Sequence, residues 1–494
     1  MRIRVRARAW EWLAPLLVTA VAAALRLIGL GHPHELVFDE TYYVKDAWSL
    51  WNLGYEGSWP DGADDAFVAG SVDGYSADGS YVVHPPLGKW LIALGMAALG
   101  PENPAGWRLA TALAGVWMVL VTYLIARRLT GSVAVATVAS GLLAVDSLAI
   151  AMSRVALLDG ILAAFVLLAV YLLIRDREHT RARLAAARGT LLGPVMWNRP
   201  WLIAAGAVLG AASAVKWSGL YALAGLGIWC VVVDAIDRRR NDIGTAVPSA
   251  IIRQGPASFL LMVPAAAAVH LASWSGWFAT TGGYDRDSSA NPLAAWWHYQ
   301  SSIYRFHVGL STSHPYESPA WQWPLLLRPT AMWVGHPADG WLSVIGSHPN
   351  PVTWYAGMVA IAVIAVAAWK TRRIAIAWPL VGIAVTWVPW LLYPERTIFQ
   401  FYTVSMVPFV CLALAMALAH LSREREPILL EDPTPAEITA AVGYAARQRE
   451  AWRFASTAII VLALLAAVYF LPLATGIPEP YLLWRAHMWL PGWT

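Results

Sequence analysis

Asp39 and Glu40 stand side by side in Val37-Phe38-Asp39-Glu40, shortly after the first apolar run of the chain ends. Ionised carboxylates next to an apolar interface are costly unless they have partners or a task. The chemistry open to them is proton transfer or the holding of a polar group. Neighbouring residues on a helix point ~100° apart, so the pair predicts two separate roles. The plain alternative is a solvated pair of loop acids.

Three further groups carry the same kind of signal. His84 and Lys89 lie in Val83-His84-Pro85-Pro86-Leu87-Gly88-Lys89-Trp90. The prolines preset an extended approach and a helix starts directly after them, a place suited to anions. The second group is basic: Arg26, Arg108, Arg154 and Lys216 each fall near the outward end of an expected membrane span. Several cations at one membrane level would suit a lipid phosphate at that depth. Snorkelling, or an internal pair such as Arg154 with Asp159, is the structural alternative. The last group holds Trp297-His298, His307, and the run from His314 to Pro329 with Tyr316, Trp323 and Arg328. Its histidine spacings do not fit a helical metal motif, and no metal site is predicted. Aromatic rings beside polar groups suit a sugar or an acceptor peptide, and equally suit anchoring at the headgroup level.

Composition says what must hold these groups. Of 494 residues, 58% are hydrophobic and 13% charged, with a mean hydropathy of +0.51, whereas soluble chains carry about 25% charged residues. Apolar runs near ~20 residues match a ~30 Å hydrocarbon core, and they do not alternate as barrel strands would. Spans are expected near 12–30, 106–126, 133–151, 155–174, 200–214, 218–236, 256–275, 353–369, 374–392, 398–421 and 456–474, eleven in all. The segment Leu87 to Leu99 is too short and reads as interfacial. With the N-terminus inside, twenty-four of the 35 basic residues fall on the cytoplasmic side. Making Leu87 to Leu99 a span would flip every later cluster, against the positive-inside rule. The net charge of +4 thus belongs to topology, not to nucleic acid. Arg2 to Arg8 and the apolar run after them resemble a signal peptide without a small-residue cleavage site, so a retained first helix is expected. Cys230 and Cys411 lie in apolar runs and read as packing residues.

This leaves a catalytic-sized region, 1–421, with two outer loops. The first, 31–105, holds eleven acidic residues against Lys45 and Lys89. Its Gly- and Asp-rich middle, 54–80, reads as an irregular loop whose acidic spacing misses the EF-hand pattern. The second, 276–352, is rich in Trp, His, Pro and Tyr. Residues 422–455 read as a polar, partly helical cytoplasmic linker, and 456–494 as the last span with an outer tail. No repeat of 20–50 residues is present.

In order along nearly the whole chain, these segments resemble the protein O-mannosyltransferases in their short actinobacterial form. The matching pieces are Arg26, Phe38-Asp39-Glu40, His84 to Lys89, Trp107-Arg108, Ser153 to Asp159, Lys216 to Gly219, and His314 to Pro329. The resemblance implies an all-α integral membrane protein of the GT-C type, a bundle of about eleven helices with interfacial helices in the first outer loop. It implies transfer of mannose from a polyprenyl phosphate carrier to Ser or Thr hydroxyls of secreted or membrane proteins during Sec export, on the outer face of the cell membrane. Asp39 would then be the base that makes the hydroxyl nucleophilic, with Glu40 orienting the site. Arg108, Lys216, Arg26 and Arg154 would bind the departing phosphate. His84, Lys89, Asp159, His314, Tyr316, Trp323 and Arg328 would contact substrate or support the site. No cofactor is required, and a role for a divalent metal stays open. The long β-trefoil loop of fungal and animal members has no counterpart here, and 54–80 looks like an insertion. A GT-C enzyme moving an arabinose-type or aminoarabinose sugar to a lipid or glycan is the nearest rival. A transporter is the remote one, since it would gather its charges at mid-membrane.

Overall fold

The computed structural model describes residues 2–424 and 434–494. The first helix, α1 (Arg2–Leu27), leads into the first long connection, which carries α2 (Glu40–Leu53), α3 (Ala63–Val68) and α4 (Leu87–Leu99). The bundle then runs through α5 (Pro104–Thr130), α6 (Val133–Ala144), α7 (Ser147–Arg154), α8 (Leu158–Ala186), α9 (Pro200–Val215), α10 (Ser218–Arg240) and α11 (Gly255–Ser273). A second long connection holds α12 (Pro292–Gly309) and two strands, β1 (Ala331–Gly335) and β2 (Trp341–Gly346). The chain returns through α13 (Pro351–Thr371), α14 (Ile374–Trp387), α15 (Val407–Leu421) and α16 (Pro435–Tyr469), and ends on β3 (Glu479–Pro480) and α17 (Tyr481–His487).

Local chemistry sets the helix starts. Asn103, Asn291 and Asn350 cap α5, α12 and α13, each followed by a proline in the first turn. Asp146 caps α7 by accepting from the Ala149 amide, and the α6–α7 pair bends there by 56°. Gly206 and Gly210 of α9 press on the backbone of Met262 and Ala266 in α11, so a methyl group at either would collide. Such spacing of small residues is how membrane helices approach closely. The inner helix α8 is buried over 78% of its most apolar stretch.

Among the described residues, eight helices are long and apolar enough to cross a membrane, and the bent α6–α7 pair makes a ninth. Two other expected spans fall on α9 and α15, which are apolar but shorter, so helix length alone does not fix the count at eleven. Leu87–Leu99 forms the short helix α4 in the first long connection.

Two elements depart from the sequence expectation. The stretch 54–80 is not wholly irregular: α3 drives Phe67, fully buried, against Trp59 and Trp107 at ring distances of 5.5 and 5.6 Å. The second long connection and the C-terminal segment also form an antiparallel sheet in the order β1-β2-β3, with Val334 opposite Val344 and Trp341 opposite Pro480. The branched and aromatic residues of both strands favour this pairing. Of the expected linker, 435–455 continues without a break into the last long helix behind a Thr434–Glu437 capping box. Residues 425–433 of it lie outside the described residues.

Candidate active site

Phe38 has φ +52°, a left-handed conformation that costs a bulky residue about 1–2 kcal/mol and persists only where the surroundings enforce it. They do: its ring is packed edge-on by His314, Phe399 and Phe401 at 6.1, 5.7 and 5.7 Å. The turn delivers Asp39 to the N-cap position just before α2 with its carboxylate unused in capping. Asp39 is half-buried and faces Lys216, Asp159 and Tyr43. Burial raises its pKa to about 6. The Lys216 charge and a Tyr43 hydrogen bond pull it down, and the Asp159 charge pushes it up.

Glu40 points the other way and is saturated. It accepts from Arg108 Nε and Nη2 at 2.8 Å each, from the Val37 amide at 2.8 Å and from the Ala156 amide at 2.6 Å. Arg108 spends its remaining donors on the carbonyls of Leu30, Pro33 and Glu35. A guanidinium has five N–H groups, and all five are taken. The pair is fully buried. The expected phosphate set is therefore redrawn. Arg108 clamps the acidic loop. Arg26, also fully buried, donates to Ser153 and to the carbonyls of Leu143 and Ala144 at the end of α6. Arg154 reciprocates on α1, donating to the carbonyls of Leu25, Arg26, Ile28 and Gly29. Both are C-terminal helix caps.

Lys216 is different. It sits at the break between α9 and α10, bonds both oxygens of Asp159 at 2.9 Å, and lies 4.3 Å from the centre of the Tyr402 ring. Asp159 thus pairs with Lys216 and not with Arg154. Nearby, Arg396 donates to His307 Nδ1 at 3.0 Å, while His307 Nε2 bonds the Val83 carbonyl at 2.8 Å. These partners define a neutral His307 that accepts at one nitrogen and donates at the other. Burial and the Arg396 charge hold its pKa at about 4. His84 stacks on it at 5.3 Å and is driven well below the usual value by burial and by Lys216. Arg396, Tyr402 and Tyr43 are absent from the sequence-derived set. Arg396 carried a legible signal, a basic residue beyond an apolar helix in Tyr393-Pro394-Glu395-Arg396.

The remaining expected residues surround this centre. Lys89 is buried and paired with Glu56 and Asp46, so it braces α2 against α4. His314 packs between Phe38 and Phe399. Trp323 is fully buried beneath Tyr402, at 6.1 Å. Arg328 lies over Tyr316 at 5.2 Å and donates to the carbonyls of Pro315, Gly492 and Thr494. An apolar cleft of about 670 Å³ opens beside Trp217, the neighbour of Lys216, between α9, α10, α11 and α12.

Comparison with known proteins adds context to this geometry. Residues 16–271 match the family described as dolichyl-phosphate-mannose-protein mannosyltransferase, and residues 292–493 match the C-terminal four-helix membrane region of protein O-mannosyltransferases. The chain is 31% identical over 522 residues to the polyprenol-phosphate-mannose–protein mannosyltransferase of Mycolicibacterium smegmatis strain MKD8, covering 98% of this chain and 93% of that protein. It is 30% identical to the enzyme of the same name from Corynebacterium glutamicum, covering 92% and 88%. Among solved structures, the S. cerevisiae protein O-mannosyltransferase complex bound to the sugar donor superposes with a TM-score of 0.72 at 15% identity, over 98% of this chain and 92% of that one. Apo ArnT from Cupriavidus metallidurans gives 0.53 at 16% identity, over 95% and 77%. At these identities the two superpositions speak for the membrane-helix architecture alone.

Proposed function

Because the chain belongs to the dolichyl-phosphate-mannose-protein mannosyltransferase family, we propose that it transfers mannose from a polyprenyl phosphate carrier to Ser or Thr hydroxyls of proteins on the outer face of the cell membrane. The observation that most supports this is the Asp39 carboxyl, unused in capping and placed beside Lys216. Arg108, Arg26 and Arg154 are already paired or used as helix caps, whereas Arg396 donates only to the neutral His307 among the described residues. Asp39 takes the hydroxyl proton as the acceptor oxygen bonds to the anomeric carbon. The bond from that carbon to the phosphate oxygen breaks on the opposite face, with inversion. Polyprenyl phosphate leaves with the electron pair. Lys216 and Arg396 stabilise its growing charge in a low-dielectric site, and the cleft beside Trp217 takes the prenyl chain. Glu40 and Arg108 hold the loop that aims Asp39. The N-terminus is cytoplasmic, and acceptors arrive as exported chains during Sec translocation.

The arabinose-type or aminoarabinose alternative is less well supported, because the relatives matched along nearly the whole chain are protein mannosyltransferases by name. The deciding experiment incubates the purified protein with labelled polyprenyl phosphomannose and a Ser/Thr peptide. Peptide-linked mannose is expected. Label found only in a lipid or glycan product would replace this reading with the alternative.

A further inference from the structure

The end of the bundle far from Asp39 holds a cleft that the chemistry above does not use. α5 begins at the Arg108–Glu40 pair, and its 27 residues carry it ~40 Å away. There a cleft of about 290 Å³ opens between the ends of α5, α6, α13, α14 and α15. Its deeper wall is apolar, with Ile364 and Met416 buried in it. Arg373 and Arg423 line it as well.

The two arginines come from separate elements. Arg373 is the residue before α14, and Arg423 follows α15 by two positions. Both are exposed, and neither guanidinium meets an acceptor among the described residues. Neighbouring cations at this end are spent on partners: Arg127 pairs with Glu11, Arg128 with Glu178 and Arg177 with Asp237. Among the described residues no carboxylate lines the cleft. Like charges sharing one cleft repel, and an anion between them removes that repulsion.

We propose that this cleft binds the head group of an anionic phospholipid, with Arg373 and Arg423 on the phosphate and the apolar wall against the glycerol and upper acyl carbons. Guanidinium groups meet phosphate through paired, charge-assisted hydrogen bonds, and basic clefts between membrane helices suit such head groups. The adjoining face of α13 exposes Val359, Val366 and Trp369, a surface for the acyl chains to cover. A soluble anion would leave both apolar surfaces uncovered. Under the topology proposed above, the lipid belongs to the cytoplasmic leaflet. Its place also bears on the active site. α14 and α15 are joined at their other ends by 388–406, the stretch that carries Arg396 and Tyr402. A phosphate bridging Arg373 and Arg423 fastens the open ends of that helix pair.

The test titrates the purified protein in detergent with phosphatidylglycerol, with phosphatidylcholine of the same acyl chains, and with soluble glycerol phosphate. Native mass spectrometry counts the bound molecules. Phosphatidylglycerol should bind at concentrations where the other two do not, and should raise the melting temperature. Arg373→Gln and Arg423→Gln alter exposed groups without partners, so both should fold. Each is expected to weaken phosphatidylglycerol binding by roughly 10-fold or more, the worth of a bond to an ion, and to abolish the melting shift. Arg239→Gln, an exposed cation at the end of α10 and outside the cleft, should change neither. Lys216→Gln at the donor end should not change them either. Equal retention of phosphatidylcholine would overturn the proposal without any variant. An equal loss in Arg239→Gln would reduce the binding to general surface charge, and a loss confined to Lys216→Gln would move the lipid to the donor site. Saturation by glycerol phosphate at the same concentration would make this a site for a soluble anion. Each of these results also overturns it.

Discussion

An aspartate at the start of a helix ordinarily spends its carboxylate on the free amides there; Asp39 does not, and its half-burial raises its pKa to about 6. A general base works in its deprotonated form, so kcat/KM should rise with pH through about 6 and level off above it. Asp39→Asn keeps the shape and removes the basicity. Turnover should fall by ~10²–10⁴ and the acid limb should vanish, with donor binding little changed. Near-normal turnover in the folded variant would remove Asp39 from the mechanism. At the same scale, the proposed mechanism gives the phosphate to Lys216 and Arg396 together. Lys216→Gln or Arg396→Gln should weaken donor binding or slow transfer by about 1.5–3 kcal/mol, as for a lost bond to an ion. The double variant should show non-additive losses. Donor titration of the three variants checks this, and unaltered affinity and rate would leave the phosphate elsewhere.

Among the elements, the arginines at helix ends decide how the catalytic loop is held. Arg26 caps α6, Arg154 caps α1, and Arg108 binds three loop carbonyls plus Glu40. Removing one partner from a buried pair costs about 3–5 kcal/mol because the other charge is left uncompensated. Arg108→Gln, which also frees three loop carbonyls, should therefore lower thermal stability in detergent by more than Lys216→Gln, which strips Asp159 alone of its partner. Glu40→Gln should do the same, and the double variant should lose less than the sum of the two. A stable Arg108→Gln protein with selectively weak donor binding would restore Arg108 to the phosphate. The sequence made these arginines visible, because cations at outward helix ends break the positive-inside rule. It did not say whether each would meet a phosphate or a carbonyl. That depends on which helix end lies opposite, and spacing along one chain carries no record of it. For the same reason the pairing of Asp159 with Lys216 was not legible, nor was Arg396 as the neighbour of His307. The strands were hidden by their shortness in a loop dominated by Trp, His and Pro. The spans and the acidic motif were legible because hydropathy and local motif are properties of contiguous residues.

For the molecule as a whole, function depends on which side of the membrane the Asp39 loop occupies. The distribution of basic residues is the basis for reading 31–105 as outside and 175–199 as inside, and that reading requires the 13-residue α4 not to cross the membrane. Ser71 and Ala186 are both exposed on the protein surface, at opposite ends of this scheme. The two native cysteines, Cys230 and Cys411, are buried, so a single introduced thiol should dominate labelling. A cysteine at Ser71 should react with a membrane-impermeant thiol reagent in intact cells. One at Ala186 should react only after the membrane is opened. Were α4 a true span, every later segment would change sides, and Ala186 would label from outside together with Ser71. In that event Lys216 and Arg396, which follow α4, would face the opposite compartment from Asp39, which precedes it. The Lys216–Asp159 pair beside Asp39 would then be impossible to assemble. Labelling at these two positions therefore tests the coherence of the active site as well as the topology.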